Sequence, residues 1–87
     1  MKRVLVNIVC YPDKIENIQE LLPQEMEVGN KWKAEGLLEQ LYMKQDRSGV
    51  YMVFKDVDEF QVKQLIPTLP LFNYFEKVDY SSLERMF

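Results

Sequence analysis

Residues 50–74, VYMVFKDVDEFQVKQLIPTLPLFNY, contain the signals that decide the fold of this chain. Residues 50–55 alternate between two side-chain faces and are rich in β-branched and aromatic types, which predicts a strand. Asp58 and Gln61 then have the spacing of a capping box, which marks a helix start. An apolar helical stripe follows, and two prolines end it. The stretch is therefore predicted to be a strand, a helix and an irregular exit.

The first half of the chain predicts a matching strand, helix and strand. Residues 3–10 alternate with apolar side chains on both faces, and Pro12 ends that strand. Residues 37–43 form the second predicted strand, with Leu38, Gln40 and Tyr42 on one face. Turn-forming residues separate it from the strand at 50–55.

The first helix is predicted to begin at Asp13, because Asp13 and Glu16 have capping-box spacing. Pro23 is expected to kink this helix or to restart it within its first turn. Gly36 is expected to end it. Its apolar stripe contains the following residues: Ile15, Ile18, Leu22, Met26 and Gly29.

A fourth strand is predicted at residues 74–80, with residues 81–87 as a tail that contacts a neighbouring subunit. The order β-α-β-β-α-β predicts one α+β domain over residues 1–87, with a ferredoxin-like antiparallel four-stranded sheet and two helices on one face. Because the strands carry apolar residues on both faces, the uncovered face should pack on a second copy. The predicted assembly is a dimeric α+β barrel, as a homodimer or a higher homo-oligomer.

Composition excludes several classes of function. The chain has 87 residues, a net charge of −3, one cysteine and no histidine. Nucleic-acid binding is not expected without clustered cations. Neither a zinc site nor a Ser-His-Asp or Cys-His pair can be built, and the acids near residue 58 fit helix capping better than a metal site. No apolar stretch is long enough to span a membrane, so a cytoplasmic protein is expected.

Three features of residues 36–83 resemble the muconolactone isomerase family. Residues 51–57, Tyr-Met-Val-Phe-Lys-Asp-Val, are similar to the family's Tyr-Ser-Val-Phe-Asp-Val. Residues 69–74, Leu-Pro-Leu-Phe-Asn-Tyr, are similar to its Leu-Pro-Leu-Phe-Pro-Tyr. The spacing from Gly36 to Phe54 aligns without a gap. The resemblance implies a small, oligomeric enzyme that isomerises a butenolide lactone without a cofactor.

Much of the family's polar pocket is replaced here. Where the family typically has Trp-Arg-His-Leu-Trp-Arg, residues 38–43 are Leu-Glu-Gln-Leu-Tyr-Met, and the family's Tyr-x-Asn falls on Ser48 and Val50. The family's helix glutamate corresponds to Glu25. The resemblance therefore implies Glu25 as the catalytic proton shuttle, and burial beside apolar residues would raise its pKa as a general base requires. A solvated helix glutamate is the alternative.

Four further residues are candidate substrate contacts. Tyr42, Tyr51 and Gln40 could donate hydrogen bonds to a ligand oxygen, and Trp32 could form a pocket wall. Packing in the core or an interface is the competing interpretation for the aromatic residues. Cys10 is interpreted as a buried strand residue, since no histidine could activate it.

Three functions fit these observations. The first is a cofactor-independent isomerase of a small lactone or carbonyl compound, with neither metal nor cofactor. The second is a non-catalytic small-molecule-binding or assembly module on the same scaffold. The third is a cofactor-free monooxygenase of similar fold, although no set of residues selects oxygen chemistry.

Overall fold

The computed structural model of the chain describes residues 2–87. Four strands, two helices and three short 3-10 turns follow one another. The strands are β1 (Lys2–Val9), β2 (Leu38–Met43), β3 (Gly49–Lys55) and β4 (Lys77–Glu84); the helices are α1 (Ile18–Ala34) and α2 (Glu59–Leu65); the 3-10 turns are Pro12–Lys14, Ile66–Thr68 and Phe72–Tyr74.

The strands form one antiparallel sheet in the order β2-β3-β1-β4. One sheet face carries the buried side chains of β1 and β3, and both helices contribute to the same buried cluster. Trp32 of α1 packs on Phe54 of β3, with ring centroids 5.6 Å apart. The predicted ferredoxin-like α+β fold, with two helices on one face of the sheet, is confirmed.

The opposite face, called the open face below, has no helix against it. Its central positions are the partly buried Leu5, Asn7 and Val53, and the exposed Tyr42 and Tyr51 lie directly opposite each other on β2 and β3. Paired residues of antiparallel strands share a face, so these side chains form one surface. Apolar residues are therefore present on both faces of the sheet, as the sequence predicts.

Helix α1 begins later than predicted. Residues Pro12–Lys14 form a 3-10 turn, and α1 starts at Ile18 after the N-cap position Asn17, so Asp13 caps nothing here. The reason is Ile15, which has an extended backbone and is buried in the core. Burial of that side chain outweighs the local capping preference.

Pro23 is the sixth residue of α1, and the helix does not restart there. Its predicted end is confirmed. Gly36 has φ +79°, its N–H donates to Lys33, and the Leu37 N–H donates to Trp32. This pair of bonds is a Schellman motif, in which glycine avoids the steric cost of the left-handed conformation.

Strand β2 contains a bulge that the sequence pattern does not reveal. Leu38 pairs with Phe54 and Gln40 pairs with Val53, so Glu39 has no opposite residue. The extra residue shifts the alternation. Leu38 is consequently buried on the helix side, and the prediction that it shares a face with Gln40 and Tyr42 is wrong.

Strand β4 also lies further along the chain than predicted. Tyr74 belongs to a 3-10 turn, and the strand runs to Glu84, pairing with β1 along its whole length. Residues 81–84 are therefore strand and not tail. Only the last three residues, 85–87, extend beyond it.

Candidate active-site cavity

A cavity of about 440 Å³ lies between α1 and the helix-side face of the sheet. The stripe of α1 that the sequence singles out forms one wall, through Ile18, Leu22, Met26 and Gly29. Leu22 is 44% exposed and Met26 is 48% exposed, so these apolar side chains border open space and not packed core. Volumes of this order accommodate small organic ligands.

The opposite walls come from the sheet and from the segment after α2. Ile8 and Met52 contribute from the central strands, and Leu69, Leu71 and Phe75 contribute from the segment between α2 and β4. The lining is dominated by aliphatic, aromatic and methionine side chains. Apolar walls with a few polar groups are typical of small-molecule sites.

Glu25 is the carboxylate in this apolar wall. It lies four residues after Leu21 and four before Gly29, and seven after Ile18 and seven before Trp32. These spacings place it in the middle of the helix face directed at the core and cavity. Glutamate is rarely placed on such a face without a reason, since its desolvation is costly.

One hydrogen bond holds the Glu25 carboxylate. The backbone N–H of Leu71 donates to Oε1 at 3.0 Å, and the second oxygen receives no hydrogen bond from residues 2–87. Burial raises the pKa of Glu25 above its usual value, while the bond from Leu71 acts in the opposite direction. A carboxylate with one fixed and one free oxygen, and a raised pKa, can accept a proton from a ligand and return it.

Cys10 is buried at the end of β1 and borders the same cavity. Its pKa is raised first by burial and then by the negative charges of Glu25 and Glu76. The thiol is therefore protonated near neutral pH. The predicted burial of Cys10 is confirmed, although β1 ends one residue earlier, at Val9.

Charged and polar residues border the cavity as well. Asp13, Asn30, Lys33 and Arg47 are all exposed. Glu39, from the β2 bulge, is already engaged, because Arg3 donates two hydrogen bonds to its oxygens at 2.7 and 3.0 Å. Glu25 thus differs from the exposed charges by its burial, and from the partly buried Glu39 because it takes part in none of the salt bridges within residues 2–87.

The structure separates the other predicted site residues from Glu25. Trp32 is buried in the core, and Tyr42 and Tyr51 lie on the open face, across the sheet from the cavity. Gln40 borders the cavity, yet its pairing with Val53 places its side chain on the open face. Ligand contact by these four residues remains a prediction.

Two parts of the site were not predicted from the sequence. Leu22, Met26 and Gly29 were predicted only as part of an apolar helical stripe, and that spacing does not show that the stripe borders a cavity. The N–H of Leu71 gives no signal of its own in the sequence. Leu71 lies within residues 69–74, which resemble the Leu-Pro-Leu-Phe-Pro-Tyr element of the muconolactone isomerase family.

Residues 2–87 contain no cluster of metal-ligand side chains and no membrane-spanning helix. Within residues 2–87, no three His, Cys, Asp or Glu side chains lie close enough to hold a metal ion. The two helices of that range are too short or too polar to span a bilayer.

Comparison with known proteins shows the fold alone. No family model matches the sequence, and no curated protein sequence matches it. Among solved structures, the chain is similar to 5-chloro-2-hydroxyhydroquinone dehydrochlorinase (TftG) from Burkholderia phenoliruptrix AC1100, in complex with 2,5-dihydroxybenzoquinone. The match has a TM-score of 0.74 and 9% identity, covering 97% of this chain and 94% of the other. The shared architecture is the ferredoxin-like α+β fold, with a four-stranded antiparallel sheet and two helices.

Proposed function

We propose that this protein is a small-molecule-processing member of the dimeric α+β barrel superfamily, and that it isomerises a lactone or carbonyl compound without a cofactor. The observation that carries the proposal is Glu25, a half-buried carboxylate with a raised pKa in the wall of an apolar cavity. A carboxylate whose pKa is raised by burial is a stronger general base than a solvated one.

The proposed reaction is a proton shift. The free oxygen of Glu25 removes a proton from a carbon next to the carbonyl group, and the electron pair of the broken C–H bond delocalises onto the carbonyl oxygen to give an enolate conjugated with the neighbouring double bond. The same carboxyl group then returns the proton to a different carbon of the conjugated system, which moves the double bond. Proton and electrons stay within the pair of enzyme and substrate, so the reaction needs no redox partner.

The backbone N–H of Leu71 has a defined part in this scheme. It donates to Oε1 at 3.0 Å, which fixes the carboxylate plane and leaves the other oxygen free to accept a proton. The apolar walls keep the carboxylate poorly solvated, and a poorly solvated carboxylate is the stronger base toward a carbon acid.

Fold similarity gives limited support. TftG, by its name, removes chloride from a hydroxyhydroquinone, a small ring compound. At 9% identity this likeness does not transfer an activity. The isomerase assignment rests on Glu25 and on the resemblance of residues 36–83 to muconolactone isomerases.

Substitution of Glu25 by glutamine tests the proposal. Butenolides are first screened for binding by thermal shift, and those that bind are incubated in D₂O with the protein while NMR follows double-bond migration and deuterium uptake. We expect turnover to fall at least about 100-fold in Glu25→Gln, because general acid–base groups contribute about 10²–10⁴-fold. Unchanged turnover in a folded Glu25→Gln variant would end the proposal.

A binding module on the same scaffold is the second candidate. It is favoured by the separation of Tyr42 and Tyr51 from the cavity, which leaves Glu25 with few polar partners. Ligands that raise Tm in both the parent and Glu25→Gln proteins, without any proton exchange in either, would decide for it.

We also propose that a second copy of the chain covers the open face. Tyr51 and Tyr42 are 37% and 56% exposed there, beside the partly buried Leu5 and Val53. A mixed apolar and aromatic surface of this kind is typical of a protein interface.

A further inference from the structure

Gly29 has no backbone reason to be glycine. It lies inside α1, whereas the glycines with positive φ are Gly36 and Gly49. A Cβ added at Gly29 would meet nothing within 4 Å. Glycine destabilises a helix interior relative to alanine, so this position carries a cost that folding does not require.

The space beside Gly29 belongs to the cavity, because Gly29 is one of its lining residues. Glu25, Gly29 and Lys33 recur every four residues, which places them in one row along the helix surface. All three border the cavity. The row therefore presents a carboxylate, a gap and an ammonium group in that order.

The two ends of this row differ in exposure. Glu25 is half-buried, whereas Lys33 is exposed and takes part in none of the salt bridges within residues 2–87. At 1.5 Å of rise per residue, the Cα atoms of Glu25 and Lys33 are about 12 Å apart. A single six-membered ring reaches only about half of that distance.

We infer that Gly29 determines ligand length, and that the cavity takes an elongated, mainly apolar molecule of about two rings. Such a ligand places one end at Glu25, its body over Gly29, and an anionic end at Lys33. This inference rests on the proposed use of the cavity for a small molecule, and it specifies the substrate class of that site.

The cavity is suited to a body of this size. Its volume of about 440 Å³ exceeds the needs of one small ring. Met26, Met43 and Met52 all contribute to its lining, and flexible thioether side chains adapt to bulky apolar groups.

Calorimetry with two carboxylates of different length tests the inference. The probes are phenylacetate and biphenyl-4-ylacetate, and the proteins are the parent chain, Gly29→Ala, Gly29→Leu and Ala34→Leu. We expect the parent to bind the biphenyl probe at least about tenfold more tightly, since the second ring removes more apolar surface from water. Gly29→Leu should bind biphenyl-4-ylacetate about tenfold more weakly than the parent and should change the affinity for phenylacetate less than about threefold. The preference for the longer probe should therefore be lost.

Two variants of the same helix serve as controls. Ala34→Leu adds the same side chain to α1 at an exposed residue outside the cavity lining, and we expect both affinities to be unchanged. Gly29→Ala adds one methyl group where nothing lies within 4 Å, so it should fold and weaken biphenyl binding only slightly. If Gly29→Leu does not fold, a Gly29→Met variant replaces it, and circular dichroism confirms the helix content of each protein.

Lys33→Gln tests the polar end of the row. This variant should weaken the binding of biphenyl-4-ylacetate at least about threefold, because the ammonium group of Lys33 attracts the charged carboxylate. The binding affinity for the neutral alcohol biphenyl-4-ylmethanol should be unchanged. Equal weakening of both ligands would contradict the role given to Lys33.

The outcomes distinguish this inference from the proposed reaction. Binding is measured without turnover, so Glu25→Gln should keep its preference for the longer probe whether or not the protein is an enzyme. A parent chain that binds neither probe, or a Gly29→Leu variant that binds the biphenyl probe as tightly as the parent, would overturn the inference. Loss of turnover in Glu25→Gln concerns only the proposed function.

Discussion

The backbone N–H of Leu71 donates a hydrogen bond to the Glu25 carboxylate at 3.0 Å, across 46 residues of sequence. The bond joins the middle of α1 to the segment between α2 and β4. It orients a carboxylate that burial would otherwise destabilise in its charged form. The segment that resembles muconolactone isomerases is therefore connected directly to the candidate catalytic residue.

The raised pKa of Glu25 predicts how stability depends on pH. A carboxyl group with a higher pKa in the folded state binds protons more tightly there than in the unfolded chain. The favourable contribution of this group to folding stability is complete below its pKa in the unfolded chain. It is lost as the pH rises through its pKa in the folded protein. Glu25→Gln should therefore raise Tm at pH 7, and the advantage should shrink toward pH 4.

Thermal unfolding of both proteins between pH 4 and pH 8 measures this difference. Glutamine retains an oxygen that can accept from the Leu71 N–H, so the comparison isolates the charge. Glu20→Gln provides the matched control, because Glu20 is an exposed glutamate of the same helix. A Tm advantage that grows toward low pH would contradict the assigned direction of the pKa shift.

Gly29 and Gly49 should respond to alanine in opposite ways. Gly29→Ala should stabilise the protein by about 0.5–1 kcal/mol, since the added methyl group meets no atom and alanine favours the helix. For a domain of this size the gain is about 2–8 °C in Tm.

Gly49→Ala should destabilise the protein by at least about 2 kcal/mol. Gly49 has φ +144°, and an added Cβ would lie 1.8 Å from the carbonyl oxygen of Ile8. Chemical denaturation of the two variants measures both changes in the free energy of unfolding. Similar changes at the two glycines would show that the backbone around Gly49 is not as constrained as described.

Asp58 and Asp13 have the same capping-box spacing in the sequence, but they should contribute differently to the free energy of unfolding. Asp58 accepts from the Gln61 N–H at 2.8 Å, and Gln61 accepts in return from the Asp58 N–H at 3.0 Å. Asp58→Ala should cost about 1 kcal/mol, and Asp58→Asn should recover most of it. Asp13→Ala should change stability by less than about 0.5 kcal/mol, because Asp13 caps no α-helix. Equal losses in urea denaturation would contradict this assignment.

The fold was predictable where its signals are local. The capping box at Asp58, the glycine at the end of α1 and the alternation in β1 and β3 depend on neighbouring residues, and each was predicted from the sequence. The start of α1 was not, because the burial of Ile15 is a tertiary contact. The bulge at Glu39 likewise accompanies an ion pair with Arg3, which is 36 residues away.

The candidate site was predictable only in part. Helical spacing places Glu25 among apolar residues, and the structure has it there. The donor that binds Glu25 comes from a distant backbone amide, which no side-chain pattern encodes. Spacing alone also cannot separate a stripe that packs in the core from one that borders a cavity, so the cavity beside Leu22 and Met26 was not predicted.

The exposed aromatic residues of the open face predict that the chain assembles through this face. Tyr51 lies near the middle of this face, with the Lys44 ammonium group 5.0 Å from its ring centroid. Tyr51→Glu would place a carboxylate beside Lys44 in the monomer, so the fold should tolerate it. In a sheet-on-sheet dimer the same carboxylate would be buried at the interface, which is unfavourable for an ion.

Sedimentation velocity should therefore show the parent chain at twice its 10.4 kDa mass or more, and Tyr51→Glu shifted toward single chains at micromolar concentration. Phe60→Glu is the matched control, since Phe60 is a 71% exposed aromatic residue on α2 and should leave the assembly unchanged. A parent protein that sediments as one chain at these concentrations would remove the second copy from the open face. The cavity beside Glu25 would then remain a property of the single subunit.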